Sequence, residues 1–378
     1  MEIRRAASAH SVFPAIEGPY VFANAANSGR INCKRRSGPI RKVVRGRRQP
    51  CWRRRFPPHN CPMVARRILL QSTLLLSVSG SSRASEAEIL DGSWVHVPRQ
   101  RTLPWRLRLP SGDAPCPLVL YSHGLGGSRE SGHAWGTAWA EAGVAVLHLQ
   151  HPGSDIDALR GGPRAVQAAG SADQLIERLQ DLRFVINELL RRSGVGEAPW
   201  NRIRAGSIGV AGHSFGALTT QAVAGQRYPG VGDLSDPRPR AFVALSPSLP
   251  IGVKMPPSEA FAGVVRPFFA LTGSRDAGPI QMNPSAQRAA VYDALPRGQR
   301  ALLWLEGATH QTFGGGRFGG GPDGIPSQGR RDSPDRHSAL IAKGTAAWWR
   351  WHLLGDEAAH SQLQSLQGLS EGDQLLLG

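Results

Sequence analysis

Six short apolar runs, none containing Asp, Glu, Lys or Arg, punctuate the chain at 117–122, 144–148, 207–211, 241–246, 267–272 and 301–305. A strand that is apolar on both faces must be covered on both faces, which is the condition of a parallel sheet between helices. Six such runs within about 190 residues predict one central sheet, not two domains. Two earlier runs, 94–97 and 105–109, alternate at period two and predict an antiparallel pair that opens the sheet.

The stretches between the runs read as covering helices. Ser171 and Gln174 have the spacing of a capping box, and Leu175, Ile176, Leu179, Leu182, Ile186, Leu189 and Leu190 follow at helical spacing until Gly194. A second helix is predicted after Ser214, and a third from near Ser338 to Gly355, with its tryptophans read as packing residues. Segment 311–333, rich in Gly, Pro and Asp, predicts a mobile loop, and 356–378 a weak helix or a frayed end. The predicted fold class is α/β, with a mostly parallel central sheet and helices on both faces, over 85–356, followed by a tail over 357–378.

Charge separates this body from what precedes it. The whole chain has a formal charge of +17, which by itself suggests a nucleic-acid binder. Residues 1–62, however, hold 14 Lys and Arg against Glu2 and Glu17, whereas 84–378 hold 28 basic and 26 acidic residues. The body is nearly neutral, so no nucleic-acid partner is expected. No stretch reaches the roughly 18 uninterrupted apolar residues of a membrane-spanning helix.

From Met63 the chain runs through Arg66 and Arg67 into an apolar stretch and then small residues, the order of a secretory signal peptide over 63–84. Signal peptides begin at an N-terminus, so the expected natural start is Met63, with a secreted or periplasmic product. The alternative is a basic extension over 1–62 that contacts polyanions, with a cytoplasmic protein if the leader is not processed. Cys33, Cys51 and Cys61 lie in the leader, and Cys116 alone in the body reads as a small packing residue.

The strongest chemical signal is Gly212-His213-Ser214-Phe215-Gly216, directly after one apolar run and directly before a helical stretch. This is G-x-S-x-G in the strand-turn-helix context that exposes the serine as a nucleophile. A serine hydroxyl needs a base to take its proton and an acid to orient that base. His310 follows the run 301–305, and Asp276 follows the run 267–272, so strand ends bring both toward Ser214. Glu306 is the fallback acid. The pair His148 and His151 imitates a metal site but lacks a third ligand, and no metal or organic cofactor is expected. The turn 122–127, Ser-His-Gly-Leu-Gly-Gly, follows the first buried run, where backbone N–H groups can meet an oxyanion; the second donor is the N–H of Phe215. Segment 247–266 reads either as a cap over an acyl chain or as an ordinary connection, and Trp135 and Trp139 as core residues with pocket lining as the alternative.

These residues together, with 118–128, 151–155, 183–186, 273–276 and 353–356, resemble the bacterial predicted dienelactone hydrolases. That group is similar to platelet-activating-factor acetylhydrolases and, more distantly, to cutinase-like lipases. The resemblance spans about 94–356 and implies an α/β-hydrolase fold, a Ser214-His310-Asp276 triad, and an oxyanion hole formed by the N–H groups of Leu125 and Phe215. True dienelactone hydrolases use a cysteine nucleophile where this chain has Ser214, so the resemblance points to an ester and not to a dienelactone. The expected protein is a monomeric carboxylic ester hydrolase acting on a small or lipid-like ester. A catalytically silent hydrolase-fold protein and a polyanion-binding protein are the alternatives from other classes.

Overall fold

The computed structural model describes residues 87–249, 254–277, 285–316 and 334–378. The expectations for 1–62 and 63–84, and most of that for 311–333, lie outside the described residues. Nine strands form one sheet: β1 (Glu88–His96), β2 (Arg101–Leu109), β3 (Cys116–Ser122), β4 (Ala145–Leu149), β5 (Ile203–His213), β6 (Ala241–Leu245), β7 (Phe268–Arg275), β8 (Arg300–Thr309) and β9 (Gln374–Leu377). Their order across the sheet is β1-β2-β4-β3-β5-β6-β7-β8-β9. Strands β4, β3, β5, β6, β7 and β8 run parallel, while β1, β2 and β9 pair antiparallel at the two edges.

Each of the six apolar runs is a strand, and the pleat divides its side chains between two cores. Leu118, Leu120, Leu147, Val210, Phe242, Ala244, Phe268 and Ala270 face one side. There they pack against α3 (Ala172–Gly194), which follows the short α2 (Pro163–Ala169), and against α4 (Phe215–Ala224), α5 (Pro257–Phe261) and α6 (Ser285–Ala294). Val119, Tyr121, Val146, Ala211, Val243, Leu245, Phe269 and Leu271 face the other, against α1 (His133–Glu141), α7 (Pro334–Trp349) and α8 (Glu357–Gln364). The protein is therefore an α/β structure with a large, mostly parallel mixed sheet and helices on both faces. Helix α3 begins where its cap residue places it, with the Ser171 hydroxyl accepting from the Gln174 N–H at 3.3 Å.

The tail holds the expected helix and departs from expectation at its end. Residues 357–364 form α8, and 374–377 form β9, which closes the edge of β8 through the pairs Ala301 with Leu377 and Leu303 with Leu375. Asp373 secures the turn: its carboxylate accepts from the Glu306 N–H at 2.8 Å and pairs with Arg336. A four-residue strand whose Leu376 and Leu377 are both more than a third exposed has no periodicity that a sequence reading could detect. Trp135 and Trp139 are core residues, since both are buried and their indole N–H groups donate to Phe313 O and Thr345 Oγ1. Among the described residues, no helix is long and apolar enough to cross a membrane.

For the site, the decisive consequence is that β3, β5, β6, β7 and β8 point the same way. The segments that follow their carboxyl ends meet along one edge, the place where open parallel sheets bind ligands.

Candidate active site

The turn from β5 into α4 is tight enough to dictate its residue types. Ser214 is held at φ 56°, ψ −114°, a region costing a non-glycine residue on the order of 1–3 kcal/mol. A Cβ on Gly212 would stand 2.3 Å from Gly216 O, and one on Gly216 only 2.0 Å from Ser122 O. Both obstacles are backbone, so neither can yield as a side chain could. The two glycines let β5, α4 and the end of β3 close together, and Ser214 is left part-exposed above them.

Three strand ends then converge. Ser214 Oγ lies 2.9 Å from His310 Nε2, and His310 Nδ1 lies 2.8 Å from Asp276 Oδ1. The structure thus brings together the three residues singled out as nucleophile, base and acid. Since an ionised Asp276 accepts at Nδ1, that nitrogen carries the proton, which leaves Nε2 free to accept from the Ser214 hydroxyl. Glu306, the fallback acid, is exposed and instead accepts from Ser274 Oγ at 2.7 Å.

Around Asp276 stand groups that sequence reasoning did not assign. Ser246 Oγ donates to the carboxylate at 2.6 Å and lies 2.8 Å from His310 Nδ1; Thr272 Oγ1 donates at 2.8 Å. Arg288 Nε donates to Asp276 O at 2.8 Å and lies 3.4 Å from Oδ1, while its Nη1 donates to Ser246 O, Pro247 O and Ser248 Oγ. Burial acts to raise the Asp276 pKa, but the His310 hydrogen bond, the Arg288 charge and the Ser246 hydroxyl outweigh it and hold the carboxyl below its ordinary value. Ser246 also sits at φ 62°, a strained position directly after β6. Its signal was a hydroxyl at the carboxyl end of the strand beside the acid's strand; nothing in the pattern distinguished it from an ordinary strand terminus.

His310 is held from behind. His213 Nε2 donates to His310 O at 3.0 Å, and the short helical turn His310–Gly314 is tied to the start of α1 by Gly132 N–H to Gly314 O and Ala134 N–H to Gly315 O. Leu125 lies in the turn after β3, whose neighbouring Gly124 would place a Cβ 3.4 Å from Ser214 Cβ. Phe215 opens α4, and a first-turn N–H has no acceptor within its own helix. Both sequence-assigned oxyanion donors therefore lie on segments adjoining Ser214.

The remaining candidates resolve as packing. His148 Nδ1 meets Ser131 O and His151 Nδ1 meets Asp181, so the two imidazoles do not converge on a common ion. Among the described residues, no three His, Cys, Asp or Glu side chains are grouped to hold a metal. Cys116 is buried, and that burial raises its thiol pKa. In segment 247–266 Ala260, Phe261 and Val264 are buried, and 250–253 lie outside the described residues. A cavity of about 330 Å³ lined in part by Val264, Arg266, Phe268 and Arg300 lies at the amino ends of β7 and β8, the edge opposite Ser214.

Four imidazoles in and behind the site are neutral because burial excludes their charge. His148 and His213 are pushed down to about 3, His151 to about 4, and His123 well below the ordinary value. The unfolded chain takes up these protons near pH 6.5 and the folded chain does not, so stability falls as pH drops below that value. Unfolding free energy from urea titrations is therefore expected to decline as pH falls from roughly 6 to 4. A flat profile across that range would show that these imidazoles are charged in the fold.

Comparison with protein-family models and with curated proteins gave no match to this chain.

Proposed function

We propose that this chain is a serine hydrolase of α/β-hydrolase architecture that cleaves carboxylic esters through an acyl-enzyme. The observation that carries the reading is the unbroken line from Ser214 Oγ through both nitrogens of His310 to Asp276, starting at a strained turn between a parallel strand and a helix. A structural hydrogen-bond chain gains nothing from placing its serine part-exposed at a cost in backbone strain, whereas a nucleophile requires it. The motif resemblance to predicted dienelactone hydrolases and platelet-activating-factor acetylhydrolases supports an acyl ester as the substrate class, and the sheet order and two-sided helix packing suit the hydrolase architecture.

The steps follow from the hydrogen bonds. His310 Nε2 takes the Ser214 proton as Oγ attacks the ester carbonyl, and Asp276 stabilises the imidazolium without itself being protonated. The carbonyl oxygen becomes an oxyanion, met by the N–H groups of Leu125 and Phe215. His310 then returns the proton to the leaving alcohol, and the acyl group remains on Ser214. Water enters, loses a proton to His310 and attacks the acyl carbon, releasing the carboxylic acid and restoring the serine.

The test is covalent labelling. A fluorophosphonate probe is expected to add its phosphonyl group to Ser214, located by peptide mass mapping, and to abolish hydrolysis of p-nitrophenyl esters in proportion. Absence of labelling in protein shown to be folded, together with absence of turnover across acyl chains of increasing length, overturns the reading.

A further inference from the structure

Behind the turn that supplies the Leu125 N–H lies a fully buried guanidinium. Arg178, on α3, donates from Nε to Ser154 Oγ at 2.8 Å and from Nη1 to His123 O at 2.6 Å; its Nη2 stands 3.4 Å from Ser154 O and 3.5 Å from Gly124 O. Among the described residues it makes no ion pair with a carboxylate, since Asp181, three residues on, is engaged by Arg99, Arg101 and His151. Burying an arginine against neutral acceptors is unfavourable, and burial lowers its pKa to about 9, which leaves it charged at neutral pH. The planar fork reaches the consecutive carbonyls His123 O and Gly124 O of one turn together with Ser154, a geometry that an ammonium cannot reproduce.

A second group acts on the same turn. The His151 N–H donates to His123 Nε2 at 3.0 Å, so His123 carries its proton on Nδ1 and donates it to Gly124 O at 2.6 Å. Gly124 O and the Leu125 N–H belong to one planar trans peptide, in which C=O and N–H point in opposite directions. Holding Gly124 O against the buried side therefore turns the Leu125 N–H away from it. The Arg178 guanidinium also lies 4.3 Å from the centroid of the Phe215 ring, so one side chain touches both segments that carry the oxyanion donors. His151 is fixed in turn, its Nδ1 donating to Asp181 at 2.9 Å and its Nε2 accepting from Ser122 Oγ at 3.0 Å.

We propose that Arg178 is a positioning residue for the oxyanion hole, holding the Gly124-Leu125 peptide and Phe215 in the mutual orientation that aims their N–H groups at one point. This inference rests on the serine-hydrolase reading above.

The experiment compares wild type, Arg178→Met, Arg178→Lys and Ser154→Ala for p-nitrophenyl ester hydrolysis, with kcat expressed per fluorophosphonate-titrated site. The same proteins are assayed for inhibition by an aryl boronic acid, which forms a tetrahedral anion on the serine. Arg178→Met is expected to lower kcat per titrated site about 10²-fold with KM within threefold, because a misplacement of about 1 Å at reacting atoms costs that much. Boronate affinity should fall by a similar factor. Arg178→Lys, which keeps the charge and loses the fork, should recover less than a tenth of the lost activity, and Ser154→Ala should lose several-fold. A merely structural arginine would lower the titratable fraction and leave kcat per site and boronate affinity unchanged; that result overturns the inference. If Arg178→Met and Arg178→Lys do not fold, Ser154→Ala decides: unchanged kcat per site overturns the inference, and a several-fold fall with unchanged KM supports it. Wild type that neither labels nor turns over defeats the parent reading instead.

Discussion

Ser214→Ala is expected to lower kcat/KM for p-nitrophenyl esters by about 10⁴-fold or more and to abolish fluorophosphonate labelling. The size of the effect follows from the absence of a substitute hydroxyl. Ser246 Oγ approaches the same imidazole, but it faces Nδ1 and the Asp276 carboxylate, is buried, and has no path to a carbonyl bound above His310 Nε2. The fold should tolerate the change, because alanine keeps the Cβ at φ 56° and, among the described residues, the serine hydroxyl hydrogen-bonds only to the His310 imidazole. Thermal unfolding within a few degrees of wild type beside an inactive protein is the expected pair of results. Retention of more than about a hundredth of wild-type turnover would exclude Ser214 as the nucleophile.

Asp276→Asn should cost about 10⁴-fold in kcat, with a different signature. An amide has one acceptor oxygen where the carboxylate has two, and with its NH2 at the Oδ1 position it donates to His310 Nδ1, so the imidazole is driven to the tautomer with its proton on Nε2, where it can no longer accept from Ser214. The new amide N–H groups would also face donors, since Ser246 Oγ and Thr272 Oγ1 both donate to this carboxylate and Arg288 Nε lies 3.4 Å from it. Asp276 stays ionised well into acid because its folded pKa lies below the ordinary value. Its contribution to stability is therefore present above the ordinary carboxylate pKa and is lost only as pH falls through that depressed folded value. The acid limb of the wild-type rate profile should accordingly owe nothing to Asp276. Glu306→Gln is the matched control, expected within twofold of wild type; a loss comparable to that of Asp276→Asn would return the acid's role to Glu306.

Much of the candidate site was legible because its constraints are local. Gly212 and Gly216 answer to clashes with backbone a few ångströms away, which only a motif of that composition satisfies. Apolar runs without charge have one stable fate, burial on both faces, and strand ends that point one way gather whatever follows them. His310 and Asp276 could therefore be chosen by position after a strand, although 34 residues separate them in the chain. Ser246, Thr272, Arg288 and Arg178 could not. Each is a common residue type in an unremarkable local pattern, and its role comes from what other segments place beside it: a carboxylate 30 residues away for Ser246, and a carbonyl 55 residues away for Arg178.

The same division holds across the whole chain. Hydrophobic periodicity, the capping serine at 171 and the glycine spacing around Ser214 act over a few residues, so the amino-acid sequence by itself determined the strands, the long helix and the turn that holds Ser214. The ninth strand, the tautomers of His123 and His310, and the donors around Asp276 were decided only by tertiary structure. Hydrogen bonding and desolvation between distant segments depend on distances of a few tenths of an ångström, and no pattern along the chain encodes these until the sheet has closed.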